Sequence, residues 1–173
     1  MTAVDSSEAL LSELSAACSG ARAVRADLTA AKEFVAGQYE VIVCMGDTLT
    51  HLRSSEEVLT VLGAASAHLA SRGLLLLTFR DYAGPPRRSI DRFLLVRGDA
   101  ERILTCCLEY EIDRVRVTDV VHERLEGQWS LRASEYEKLR LSPAAVASAL
   151  TARGLSLERY EADGGRVTIA ARR

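Results

Sequence analysis

The sequence predicts an α/β fold, with a doubly wound, largely parallel sheet built from the two ends of the chain and an antiparallel sheet between them. Three observations predict it. Two apolar runs, Tyr39 to Met45 and Leu74 to Phe79, flank a stretch, Ser54 to Ser71, in which Val58, Leu59, Leu62, Ala65 and Leu69 recur at helical spacing. That order, strand, helix, strand, is the right-handed crossover that joins parallel neighbours. After the breaker cluster Gly84-Pro85-Pro86 the pattern changes to alternation between Asp91 and Leu141, as in a half-exposed antiparallel sheet. Finally, Ser142-Pro143 opens a helix and a hairpin closes the chain.

Taken in order, Met1 to Asp5 reads as the last residues of a strand. Ser6 or Ser7 caps a helix starting near Glu8, with Leu10, Leu11 and Leu14 on one side and Gly20 as its stop. Ala21 to Asp27 reads as a short strand, and Thr29 to Gly37 has room for about two helical turns. Tyr39 to Met45 has the look of a buried parallel strand, and Arg72-Gly73 ends the helix before Leu74 to Phe79. The middle segment predicts three strands, Arg92 to Arg97, Arg102 to Val117 and Val120 to Leu141, the last two long enough to bend or break. Within it Ile112, Arg114 and Arg116 alternate with Val115 and Val117. The Ser142 helix runs through Ala152 to Arg153-Gly154, and Leu155 to Glu161 pairs with Arg166 to Ala171 around Asp163-Gly164-Gly165.

At 173 residues the chain has the length of one domain. Residues 1–83 and 142–173 are expected to form its core, and residues 84–141 an antiparallel, substrate-side insertion. With 48% hydrophobic and 27% charged residues it is too apolar for general disorder. Its 22 basic and 24 acidic residues, with no basic tail, argue against nucleic acid as a main partner. Purely apolar runs such as Leu74 to Leu77 fall far short of the ~20 residues that cross a bilayer. Met1-Thr2-Ala3-Val4-Asp5 has no signal-peptide pattern, so a cytoplasmic protein is expected. Cys18, Cys44, Cys106 and Cys107 include no CxxC pair, and no metal site is predicted.

The string Val41-Ile42-Val43-Cys44-Met45-Gly46-Asp47-Thr48-Leu49-Thr50-His51-Leu52 resembles the fourth strand and following loop of class I S-adenosylmethionine-dependent methyltransferases, whose sheet is Rossmann-like. Arg72-Gly73 and Leu74 to Leu77 resemble that family's turn and fifth strand, although the turn's proline is absent. The glycine N-methyltransferase-like, small-molecule branch is similar in its Gly-Asn-x-x-x-His-Leu loop and in an Arg-x-Tyr like Arg80-Asp81-Tyr82. The resemblance covers most of residues 3–82 and 139–173. It implies S-adenosylmethionine as cofactor and a small-molecule methyl acceptor.

By the same resemblance, Asp5, with Ser6 beside it, takes the ribose hydroxyls, because a carboxylate accepts two hydrogen bonds from a vicinal diol. Asp27 takes the adenine amino group with Leu28 against the ring, and Met45 and Gly46 lie along the methionine part. Arg80 and His51 are the candidate catalytic residues. A guanidinium binds a substrate carboxylate bidentately, and an imidazole accepts a proton or orders its loop. Asp47 stands where the branch has asparagine, which favours a cationic or hydroxyl-bearing acceptor over a carboxylate. Tyr82 and Tyr136 would wall the acceptor pocket or sit as rim residues.

The family's glycine-rich turn belongs roughly 20 residues before Asp5, ahead of Met1. The expectation is therefore an N-terminally truncated domain lacking the first strand and glycine loop. A late start, a fragment, or completion by a second chain or a rearranged strand would each account for it. Neighbouring strands would be left with unpaired edges, which favours oligomers or strand exchange. The alternative to an enzyme is a non-catalytic module of the same fold that acts in dimerisation or partner binding. A nucleotide-dependent oxidoreductase is disfavoured, since the phosphate-binding glycine fingerprint is missing.

Overall fold

The computed structural model describes residues 1–30, 36–84, 86 and 88–173. Strand β1 (Thr2–Asp5), helix α1 (Glu8–Ala17) and strand β2 (Arg22–Arg25) form a small parallel unit. Ser7 caps α1, its hydroxyl accepting the Leu10 N–H at 3.4 Å. A 3-10 turn, Leu28–Ala30, follows, and the rest of the turns expected between Thr29 and Gly37 fall largely outside the described residues.

The main sheet has the order β3-β4-β10-β9. Strand β3 (Tyr39–Cys44) pairs parallel with β4 (Leu69–Arg80), and helix α2 (Ser55–His68) connects them as the crossover. The helix ends three residues earlier than its periodicity suggests. Leu69, assigned by spacing to the helical face, already starts β4, and Arg72 takes φ +64° at the bend before Gly73. Leu59 is exposed, while Val61 and Ala64 are buried beside Val58 and Leu62. Helix α3 (Pro143–Thr151), capped by Ser142, leads into the hairpin β9 (Ser156–Asp163) and β10 (Arg166–Arg172), and β10 lies antiparallel to β4.

Register decides what this sheet buries. Leu75, Leu77 and Phe79 stand opposite Ala171, Ile169 and Val167, and all six are sealed under α2 and α3 with Leu62, Val146 and Leu150. Ile42 and Cys44 of β3 share that face, opposite Leu75 and Leu77. Val41 and Val43 point the other way and are 57% and 58% exposed. The expected buried strand is thus buried on one face only. Likewise, the double winding is not seen on this sheet: among the described residues α2 and α3 cover one face, while α1 packs against β1 and β2.

The middle of the chain is a four-stranded antiparallel sheet, β5 (Phe93–Gly98), β6 (Arg102–Tyr110), β7 (Arg114–Leu125) and β8 (Gln128–Leu139). Three strands were predicted here and four are present, because both long segments break at turns. Ile112, placed by alternation inside a strand, is at the tip of the first turn and 95% exposed. The second is a two-residue turn with Glu126 at φ +51° and Gly127 at φ +80°, left-handed at both positions as tight hairpins require. Arg140 ties this sheet to the end of β4, donating to the carbonyls of Tyr82 at 3.0 Å, Ala83 at 2.7 Å and Glu111 at 2.6 Å. No helix is long and apolar enough to cross a membrane among the described residues.

Candidate active site

Gly46 turns the chain at the carboxyl end of β3 with φ +75°, a conformation that L side chains rarely adopt, and its N–H donates to Thr78 Oγ1 of β4 at 2.8 Å. The loop continues as a 3-10 turn, Thr48–His51. Leu49 pins it in the main core, and Thr50 Oγ1 donates to the Asp47 carbonyl at 2.7 Å. Met45, Gly46, Asp47, Thr78, Phe79, Arg80 and Arg166 line an open cleft of about 350 Å³ at this end of the sheet. Ligands of open α/β sheets bind at the carboxyl ends of the parallel strands. A second concavity, of about 280 Å³ between Arg53 to Glu56 and Arg140, holds none of the predicted site residues.

Asp47 is the hinge of the site. One carboxylate oxygen accepts the Arg80 backbone N–H at 2.9 Å; the other accepts Lys138 Nζ at 2.5 Å and lies 3.9 Å from Arg80 Nε. Lys138 is buried, and its ammonium lies over the rings of Tyr82 and Tyr136 at 5.7 and 5.6 Å. The Asp47 charge is therefore compensated inside the protein, which weakens the expectation that this carboxylate favours a cationic or hydroxyl-bearing acceptor. Arg80 leaves its backbone to Asp47 and its guanidinium partly exposed. Its neighbour Asp81 accepts the Ala83 N–H rather than pairing with it.

Tyr82 is neither a rim residue nor an open pocket wall. It is buried in a second core with Leu108, Val115 and Val117, and burial, then the Asp47 charge, pushes its phenol far up. Tyr136 is half-buried and stacks on His51, with ring centroids 5.4 Å apart. His51 keeps one side open to solvent. Partial burial, then the Lys138 ammonium, lowers its pKa against the opposing pull of Asp47, which favours the neutral ring.

Across the sheet, the register pairs Cys106 with Asp119 and Val117 with Tyr136, bringing Cys106, Asp119, Tyr136 and Lys138 onto one face. The Cys106 thiol donates to Asp119 Oδ1 at 2.7 Å, and the Tyr136 phenol lies near enough to the same carboxylate to feel its charge. Burial and then this bond push the Cys106 thiol up to about 12. Burial and then the Asp119 charge push the Tyr136 phenol up to about 12, so both remain neutral donors near pH 7. Lys138, Asp119 and Cys106 were not singled out in the sequence. Their signal was the two-residue phase that Lys138 shares with Tyr136.

The predicted cofactor residues fall at the ends of three strands, two of the small parallel sheet and one of the main sheet. Asp5 and Asp27 follow β1 and β2, and Met45 and Gly46 follow β3. Asp5 Oδ1 accepts the Ser7 N–H at 2.8 Å, leaving its other oxygen free, and Ser6 is exposed. Asp27 Oδ1 accepts both the hydroxyl and the amide of Thr29, which hold its carboxyl below the usual range. Leu28 packs on the main core beside α2. Where β1 and β3 begin, the Tyr39 hydroxyl reaches Thr2 Oγ1 at 3.5 Å. The residues present suit a nucleoside-bearing cofactor: two acceptor carboxylates, Asp27 exposed and Asp5 half-buried, and open space where a Cβ of residue 46 would stand.

No protein-family profile and no curated protein matches the chain. Solved structures do. A S-adenosylmethionine-dependent methyltransferase from Clostridium acetobutylicum ATCC 824 matches at a TM-score of 0.78 and 17% identity, over 99% of this chain and 74% of its own. CalS10, an amino pentose methyltransferase from Micromonospora echinaspora solved with S-adenosylmethionine bound, matches at 0.80 and 19%, over 99% and 73%. The sugar N-methyltransferase KedS8 from Streptoalloteichus sp ATCC 53650 matches at 0.72 and 17%, over 99% and 70%. The chain therefore has the α/β fold, with mixed sheets, of the S-adenosylmethionine-dependent methyltransferases.

Proposed function

We propose that the chain binds S-adenosylmethionine and belongs to a cytoplasmic methyltransferase for a small-molecule acceptor. The observation that carries this reading is the joining of Asp47, Lys138, Tyr136 and His51 into one polar wall beside the Met45-Gly46 cleft. Structures of like fold that act on sugars and glycopeptides support the acceptor class. Asp5 and Asp27 would hold the ribose and adenine ends, and Met45 and Gly46 the methionine end. The cofactor supplies an electrophilic methyl on a sulfonium.

The chain's own part is positioning and exclusion of water, which account for most of the barrier reduction in such a transfer. Asp5, Asp27, Met45 and Gly46 would hold the cofactor so that its methyl meets the acceptor's lone pair, the electrons of the bond given up passing to sulfur. The proton on the attacking atom leaves to His51, whose neutral ring is able to receive it. Arg80 and Tyr136 orient the acceptor, and Lys138 fixes Asp47 and the loop that carries His51.

Calorimetric titration with S-adenosylhomocysteine tests this reading. Binding is expected, and Asp5→Ala should weaken it more than Tyr136→Ala does; equal affinities for the two variants would refute the role of Asp5. A second reading, a non-catalytic module that self-associates or exchanges a strand, is favoured by one observation. Strand β3 has no second neighbour among the described residues, and its Val41 and Val43 are exposed. Light scattering separates the two: concentration-dependent dimers abolished by Val43→Lys, with no cofactor binding, would favour the module.

A further inference from the structure

The acceptor side of the site contains two carboxylates with opposite surroundings. Asp47 is held by the Lys138 ammonium and flanked by Arg80. Asp119 accepts from one neutral donor, the Cys106 thiol, with the Tyr136 phenol close by, and no lysine, arginine or histidine forms an ion pair with it among the described residues. Further along the same face the next acid, Glu123, is occupied by Arg102 and by Arg132 at 2.8 Å.

Asp119 is also placed where an uncompensated charge is costly. It is half-buried, one residue pair beyond the apolar floor of Leu108 and Val117, with Leu94 and Cys106 packed against that floor. A carboxylate offers about four acceptor positions, and the Cys106 thiol occupies one. The remaining positions suit the N–H groups of a cation, because a charge-assisted hydrogen bond to a half-buried carboxylate is roughly twice as strong as a neutral one. The nearby Tyr136 stacks on His51, so a group bound at Asp119 lies on the same side of the sheet as the candidate base.

We propose that Asp119, backed by Tyr136 and Cys106, is a cation-binding subsite that selects and orients an acceptor carrying a protonated amine. This assignment rests on the methyltransferase reading for the word acceptor, but cation binding itself does not require the cofactor. Anionic acceptors are disfavoured, since they would face Asp119 with no neutralising partner. The subsite's discrimination therefore follows the acceptor's charge rather than its ring.

The test uses three sugars of one ring size that differ in charge: glucosamine, N-acetylglucosamine and glucuronate. Their binding to the whole chain is followed by ligand-observed NMR near pH 7. Glucosamine is expected to bind the wild type, with Asp119→Asn about tenfold weaker and N-acetylglucosamine and glucuronate weak for both proteins. Tyr136→Phe, which keeps the carboxylate, should weaken glucosamine only a few-fold, and it carries the test if Asp119→Asn does not fold by circular dichroism. The proposal is overturned if glucosamine fails to bind, if Asp119→Asn binds it as well as the wild type, or if glucuronate binds better. Loss of S-adenosylhomocysteine binding alongside retained glucosamine selectivity would overturn the methyltransferase reading and leave the subsite standing.

Discussion

The two faces of the β3-β4-β10-β9 sheet are built from similar residues and meet different surroundings. On one face Leu75, Leu77, Phe79, Val167 and Ile169 are sealed beneath α2 and α3. On the other, Val41 and Val43 stand exposed, with Leu74 and Leu76 only half-covered opposite them. Side-chain chemistry does not distinguish the faces, since β-branched and leucine residues occupy both. What differs is cover: α2 and α3 both return to the first face, while α1 stays with β1 and β2. An apolar face without cover contributes little to stability and much to the tendency to associate.

The largest expected effect breaks the covered face. Leu150→Ala removes a fully buried side chain of α3 and should cost about 3–4 kcal/mol in urea unfolding. Val43→Thr on the open face is expected to change stability by less than about 0.5 kcal/mol. Comparable losses for the two would mean that the open face is covered in solution, and the contrast drawn above would fail.

A middle-sized effect concerns the seam between this sheet and the antiparallel one. Lys138→Met leaves the Asp47 carboxylate without its ammonium and should destabilise the fold by about 2–3 kcal/mol, below the full cost of breaking a buried pair because Asp47 is still 20% exposed. Pairing that change with Asp47→Asn removes the stranded charge and should restore part of the loss. A double variant as unstable as the sum of the single ones would show that the two side chains act independently.

The sequence carried the covered face more legibly than the seam. Helix α2, its strand β4, the Ser142 cap of α3 and the terminal hairpin were readable because each rests on local signals: 3.6-residue spacing, cap residues and turn glycines. The break at Glu126-Gly127 was missed because glutamate is not a residue that advertises a left-handed conformation. In the site, Met45, Gly46, Asp47 and Arg80 were named and line one cleft. Lys138 and Asp119 were not, since their importance comes from partners 91 and 13 residues away in the chain. Asp47 was read as a carboxylate facing the acceptor for the same reason. A charge is visible in a sequence, and its neutralisation by a distant strand is not.

The smallest effect reads the seam through pH. Partial burial and the Lys138 ammonium lower the His51 pKa below its ordinary value of about 6.5, and Asp47 opposes them. Between the lowered value and about 6.5 the unfolded chain binds more protons at this position than the folded one. Stability should therefore rise with pH across that window, fall on acidification, and be independent of this group above it. Because the ring is open to solvent on one side, the effect is screened and should amount to a few tenths of a kcal/mol. Urea unfolding of the wild type and His51→Gln between pH 5 and 8 isolates it, the wild type losing stability relative to the variant toward the acid end once the general titration of the fold is subtracted. A wild type that gains on the variant as pH falls would mean that Asp47 dominates the imidazole and that Lys138 screens it less than the geometry requires. His51 would then be a charged partner of the loop, and a neutral base would have to be sought elsewhere.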